Sequence, residues 1–317
     1  MDRRSEAKAA RRIDVHHHLC PPGYADEVNK IVPLFAALRD WTPERSIEDM
    51  DEGGVETAIL SMSTPGVWFG DRDAARRLAR TCNDYIARLA SDHPGRFGFF
   101  ATLPMPDVEG SLREIEYALD ALKADGVCLM TSYGTRYLGE PEFLPVLTEL
   151  NRRSAVIYTH PTISPCCVNL LPIVSEAIIE YGTDTTRTIA SLLFSGTAAR
   201  LRDAKFIFSH AGGTMPYLIG RFLQHVRNKP DTVNLPNGVI PEVRRHFYDT
   251  AQSCNPTTMA ALRQLVDASQ ILFGTDFPWG RAAFHAGGLD DCGFTADELR
   301  QICRGNAAKL LGLPHPA

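Results

Sequence analysis

The 317-residue chain lacks any uninterrupted apolar stretch approaching 18 residues, so no transmembrane helix is expected. It lacks an excess of charge: a formal net charge of −5 and an isoelectric point near 6.1 leave no basic footprint for nucleic acid or an anionic membrane surface. The first residues, Met1 to Arg12, carry charge and alanine but no apolar core, so they do not read as a secretory signal. Residues 1–11 are expected to be a disordered leader ahead of one domain spanning 12–317. Eight cysteines are present, yet none forms a C-x-x-C pair and their spacing suggests no disulfide framework. That usage fits a reducing cytoplasm. Low-complexity linkers and internal repeats are absent too. What remains, at 44% hydrophobic and 22% charged residues, is enough to bury a sizeable core.

Short apolar runs alternate with longer helical patterns, the signature of βα units around a parallel sheet. Eight strands are predicted: Arg12–His18, Val55–Met62, Phe97–Leu103, Gly126–Met130, Ala155–His160, Lys205–His210, His246–Thr250 and Gln270–Asp276. Helices are predicted over Asp71–Ser91, Glu109–Ala124, Glu142–Arg153, Thr185–Leu201, Pro216–Asn228, Thr257–Ala268 and Ala296–Leu311. Asp107 and Ser111 stand at capping positions for the second of these. Thr295 with Glu298 forms a capping box for the last, which Gly312 closes. Eight such units predict an α/β fold, a (β/α)8 barrel. Two longer connections, 19–54 and 161–184, fall on the face where such barrels build active sites and are expected to wall the pocket.

The chemistry gathers at strand ends. His16 and His18 are two apart on a strand, so they share a face at about 7 Å, close enough to share one metal. His160 ends the fifth strand, His210 the sixth and Asp276 the eighth. Four strand ends converging on one centre carry far more weight than any single histidine. His17, His93, His225, His246, His285 and His315 are read as ordinary structural residues. Cys20, Tyr24, Trp41, Arg45, Trp279 and Phe284 are candidates to shape a pocket, against the plainer reading that they pack.

These stretches resemble the metal-dependent amidohydrolase superfamily, and within it the branch of aminocarboxymuconate-semialdehyde and hydroxybenzoate decarboxylases. The matching motifs are Asp14-Val15-His16-His17-His18, Leu103-Pro104-Met105, His160-Pro161, Ser209-His210-Ala211-Gly212-Gly213 with Gly220-Arg221, and Gly274-Thr275-Asp276-Phe277-Pro278. The segment from Asp184 to Gly196 is most similar to 6-methylsalicylate decarboxylases. The resemblance implies that His16, His18, His160 and Asp276 hold one divalent metal, Zn²⁺ before Mn²⁺, with no organic cofactor. Strand four has no lysine to bridge a second metal. It further implies that Asp276 and His210 are catalytic and that His210 and Arg221 bind substrate. In that branch Arg221 would reach a neighbouring subunit's pocket, making a homodimer or higher oligomer the active unit. The expected reaction is loss of CO2 from a small ortho-hydroxybenzoate, 6-methylsalicylate first. A mononuclear hydrolase of a lactone or amide has nearly the same ligands and is the alternative; a non-enzymatic metal-binding scaffold is a third reading.

Overall fold

The computed structural model describes residues 11–229 and 234–313. Most of the expected leader, and His315, lie outside them. One eight-stranded parallel sheet runs in chain order: β1 (Arg12–His18), β2 (Val55–Ser61), β3 (Phe97–Thr102), β4 (Gly126–Met130), β5 (Val156–His160), β6 (Lys205–Phe208), β7 (Phe247–Asp249) and β8 (Ile271–Leu272). The extended segment after β8 closes the ring on β1. The Val15 N–H donates to the Phe273 carbonyl, Asp276 N–H to His16 O, and His18 N–H to Phe277 O, at 2.8–3.0 Å. This is the expected (β/α)8 barrel.

Strands buried on both faces explain the near-continuous apolar runs. Inside the ring, Val15, Ile59, Phe100, Cys128, Tyr158, Ile207 and Leu272 form one buried cluster, one residue from nearly every strand. It is the floor on which the strand-end residues stand: the Tyr158 ring lies 5.3 Å from that of His16. The helices pack a larger cluster against the outer face.

Several expectations need correction. The helix predicted over Thr185–Leu201 begins nine residues earlier, at Glu176, and runs to Phe194; Gly196, at φ 76°, separates it from a short turn, Thr197–Arg200. Its first turns expose Ile178 and Ile179, so no one-sided apolar pattern betrays them. The connection after β5 is correspondingly shorter. The 19–54 connection holds three helices, Pro22–Val28, Ala36–Arg39 and Pro43–Gly53, the last capped by Thr42 and opened by Pro43. Helix Ala282–Asp290, with two internal glycines, escaped prediction. The helix predicted over Thr257–Ala268 stops at Arg263. Strand β6 stops at Phe208, and His210 opens a tight turn beyond it. Asp107 sits at a helix N-cap without capping; its carboxylate turns to Arg76 instead, at 2.5 and 3.1 Å. The Thr295–Glu298 capping box is present. All eight cysteines are free, and no helix among the described residues is long and apolar enough to cross a membrane.

His246 is a packing residue with a measurable consequence. Its ring stands edge-on to Phe206 and Phe208, and burial, helped by the Arg245 charge, pushes its pKa down to about 3. The unfolded chain binds that proton near pH 6.5 and the folded chain does not, so stability is full above pH 6.5 and falls as pH drops. The slope from this group is about 1.4 kcal/mol per pH unit. His246→Phe should therefore show a shallower loss of stability than the wild type between pH 6.5 and 5, by denaturant midpoint on metal-free protein.

Candidate metal centre

Three strand ends deliver the ligands. His16 and His18 come from β1, His160 ends β5, and Asp276 follows β8. Pairing of β1 with β2 slips by one residue between Asp14 and His17, a bulge of the kind common beside sites. His16 and His18 nevertheless converge, their rings 4.8 Å apart. One ligand atom from each of His16, His18, His160 and Asp276 lies within 4.8 Å of the others, and all four residues are buried.

The hydrogen bonds at the outer nitrogens decide what the inner ones are. His16 Nδ1 is 2.9 Å from Asp249 Oδ2, His18 Nδ1 is 3.1 Å from the Ser61 carbonyl, and His160 Nδ1 is 2.9 Å from the Pro161 carbonyl. Each partner is an acceptor, so each Nδ1 carries a proton and, in a neutral ring, each Nε2 turns a lone pair inward. His16 Nε2 stands 3.0 Å from His18 Nε2, and Asp276 Oδ1 is 3.2 and 3.3 Å from those two nitrogens. Lone pairs at that separation repel unless a cation lies among them. Ligand atoms on a tetrahedral ion stand about 3.3–3.6 Å apart, and these three separations lie at or just below that spacing. Three imidazoles and one carboxylate offer a single negative charge, and they form one divalent-metal site.

Without an ion, a proton does part of that work. Burial opposes a charge on His16, but the carboxylates of Asp249 and Asp276 outweigh it and push the pKa up to about 10. Burial holds His18 low, and His160 well below its ordinary value, the latter with help from the neighbouring histidines. Asp276 is held well below the carboxylate range: burial works against its charge, and His16 overcomes it. Metal binding therefore has to displace a proton.

Buried carboxylates behind the site are fully occupied, as their burial requires. Asp14 accepts from the N–H groups of His16 and Thr275, the Thr275 hydroxyl and His17 Nδ1. His17 points away from the centre, bonding Ser46 at 2.9 Å and stacking on Phe277, which is the structural place expected of it. Strain concentrates at the mouth: His210, Ala211, Gln252 and Asp276 all hold left-handed φ values of 52–62°. Each costs about 1–3 kcal/mol outside glycine, and such outliers gather at functional sites.

His210 stands beside the four ligands. Its Nε2 is 3.5 Å from Asp276 Oδ2, while its buried Nδ1 has no hydrogen-bond partner among the described residues. Arg221 is not joined to the site: it is exposed on the helix Met215–Asn228 and makes no hydrogen bond or ion pair among the described residues. Of the pocket-shaping candidates, Trp279 meets a ligand, its ring 5.6 Å from His18. Cys20, Tyr24 and Trp41 are core residues, Arg45 bonds the Asp40 carbonyl at the surface, and Phe284 is exposed. Sequence reasoning missed Asp249, Gln252 and Tyr181. Asp249 ends a three-residue strand without any motif, Gln252 sits in a turn, and Tyr181 lies on the unforeseen part of its helix, its ring 6.3 Å from that of His160.

A cavity of about 240 Å³ opens over the ends of β2 to β5, lined by Leu103, Met105, Cys128, Met130 and Tyr133, and by Thr162 just beyond His160. A larger one, about 650 Å³, lies among strand starts at Thr57, Phe97 and Gly98, the opposite end of the barrel, where the described residues gather no ligand cluster. The chemistry belongs at the strand ends.

Comparison with known proteins agrees. The family profile described as Amidohydrolase matches residues 13–313. The chain is 39% identical over 277 residues to the 6-methylsalicylic acid decarboxylase acuB of Aspergillus aculeatus, covering 84% of each chain. It is 38% identical over 275 residues to the 6-methylsalicylic acid decarboxylase of Penicillium expansum, covering 84% of this chain and 85% of that one. A dihydroxybenzoic acid decarboxylase from Polaromonas sp. JS666, solved with manganese and the inhibitor 2-nitroresorcinol, superposes with a TM-score of 0.85 at 24% identity, covering 97% and 98%. The chain belongs to the amidohydrolase family, in the branch that contains the hydroxybenzoate and 6-methylsalicylic acid decarboxylases.

Proposed function

We propose that the protein is a metal-dependent decarboxylase that converts 6-methylsalicylate to 3-methylphenol and CO2. The observation that carries this reading is the pairing, at one barrel mouth, of a three-histidine, one-aspartate site with His210, whose buried Nδ1 has no partner among the described residues. The two fungal relatives favour the methylated acid, and the manganese in the Polaromonas enzyme favours Mn²⁺ alongside the Zn²⁺ that the ligand types suit.

His16, His18, His160 and Asp276 would hold the ion, which when bound supplies Lewis-acid charge for the phenolate and carboxylate of the substrate. The residues must then bring a proton to the ring carbon that loses CO2. An ordinary aspartate at pH 7 pays about 4 kcal/mol to be protonated, so a resting Asp276 acid is excluded. Asp276 Oδ2, turned from the ligand cluster toward His210, takes the phenol proton as the substrate binds. His210 steadies that oxygen while the proton passes to the carboxylate-bearing carbon. The new C–H bond forms, the C–C bond then breaks, and its electrons return to the ring as CO2 departs.

Arg221 would bind a substrate carboxylate in a neighbouring subunit's pocket of a homodimer or higher oligomer, which its exposure and its lack of partners among the described residues support. An inactive Arg221→Ala protein mixed and reassembled with an inactive His160→Ala protein should regain up to about a quarter to half of wild-type activity, because some pockets then combine two intact contributions. No recovery after verified subunit exchange would place Arg221 outside the shared pocket. The reaction class itself is tested by mass spectrometry after incubation with 6-methylsalicylate, salicylate, 2,6-dihydroxybenzoate and an aryl lactone. Release of CO2 from a hydroxybenzoate, fastest from the methylated one, is expected. Water addition to the lactone with every benzoate untouched would establish the hydrolase instead.

A further inference from the structure

One tight turn beyond β7 touches both sides of the metal centre. Asp249, fully buried, takes His16 Nδ1 on Oδ2 at 2.9 Å. Its Oδ1 accepts the backbone N–H of His210 at 2.9 Å and of Ala251 at 3.0 Å. A single carboxylate thus sets the rotation of a ligand ring and the place of the residue that stands beside the ligands. Three residues on, Gln252 donates from Nε2 to Asp276 Oδ2 at 3.3 Å. That contact leaves Asp276 Oδ1 to face His16 and His18.

The turn is itself held. Gln252 sits at φ 52°, a conformation that a non-glycine residue adopts only under constraint. Its N–H donates to His285 Nε2 at 3.0 Å, and His285 Nδ1 in turn donates to the Arg281 carbonyl at 3.0 Å. Since that carbonyl only accepts, the buried His285 is the Nδ1–H tautomer and its Nε2 is the acceptor Gln252 needs. A Cβ at Gly280 would stand 2.5 Å from the His285 ring, so the imidazole occupies space that only glycine leaves open.

We propose that the turn Asp249–Gln252 is the positioning element of the metal centre: Asp249 orients His16 and seats His210, and Gln252 divides the two oxygens of Asp276 between the ion and the reaction. Neither residue belongs to the set of four ligands, so both are positioning residues. Hydrogen-bonded partners of metal ligands contribute about 10–100-fold in metal affinity. The proposal concerns metal binding, and it stands or falls independently of which acid is turned over.

The test is the dissociation constant for Zn²⁺ and for Co²⁺ in metal-free Asp249→Asn and Gln252→Ala proteins, with the visible spectrum of the Co²⁺ forms. Asp249→Asn keeps the shape but loses the charge and places an amide among donors. It should weaken metal binding by about 10–100-fold and shift the Co²⁺ bands. Gln252→Ala, at a more open residue, should weaken it by about 10-fold. That loss should vanish in an Asp276→Ala background, because the contact it removes is gone already. A merely structural role would lower the melting temperature of the metal-free chain and leave the Co²⁺ spectrum unmoved. Should Asp249→Asn not fold, Gln252→Ala and its cycle with Asp276 decide the matter. Dissociation constants within twofold of wild type for Gln252→Ala, or a loss that persists without Asp276, would overturn the proposal.

Discussion

Asp276→Asn is expected to lower kcat by about 10²–10⁴-fold with metal at saturation, the range that a positioned proton carrier contributes. Asparagine matches aspartate in shape, and its carbonyl can still face His16 and His18, 3.2 and 3.3 Å from the present Oδ1. Metal affinity will fall, so the comparison must be made at metal concentrations that fill the variant. What asparagine cannot do is take a phenol proton and return it to carbon. The Oδ2 position, between His210 at 3.5 Å and Gln252 at 3.3 Å, would carry an amide or a non-basic oxygen. KM should change much less than kcat, because the lost interaction is made on the way to the transition state. Steady-state CO2 release, with bound metal verified by elemental analysis, makes the comparison; near-normal turnover in the metal-filled variant would remove Asp276 from the proton path.

His160→Ala is expected to abolish detectable turnover, and for a different reason. His160 is buried, and its Nδ1 is committed to the Pro161 carbonyl, so its Nε2 has the ion as its use. Removing it leaves three ligand residues and a buried void where an imidazole stood. Chelation of the wild-type protein should cause the same loss, but with one difference: added Mn²⁺ or Zn²⁺ should restore the chelated wild type and leave His160→Ala inactive. A variant that recovers with metal at ordinary concentrations would show that His160 is not required to hold it.

The barrel was legible in the sequence because its strands are short apolar runs ending in polar residues, most of them separated by an amphipathic helical pattern. The site was legible for a related reason. His16, His18, His160, His210 and Asp276 read as matching places at strand ends, and topology brings such places together; the division into four ligands and His210 comes from the family resemblance. The features that escaped notice lack periodicity. The start of the helix at Glu176 turns Ile178 and Ile179 to the outside, and Ala282–Asp290 contains paired glycines. Asp249 ends a strand of three residues, too short to announce itself, and its importance arises from His16, 233 positions away. Gln252 depends on a left-handed turn that no glycine marks. Contacts of this kind exist only after the ring has closed, so no local pattern contains them.

Turnover of 6-methylsalicylate, labelled with ¹³C in its carboxyl group, by metal-loaded protein in D2O tests the central claim most directly. Protonation of the ring carbon followed by carbon–carbon cleavage predicts ¹³CO2 and 3-methylphenol in equal amounts. The phenol should carry one deuterium, on the carbon between its hydroxyl and methyl groups. Retention of the label in an organic product, with water added elsewhere, would contradict a decarboxylase and leave a metal-dependent hydrolase in its place.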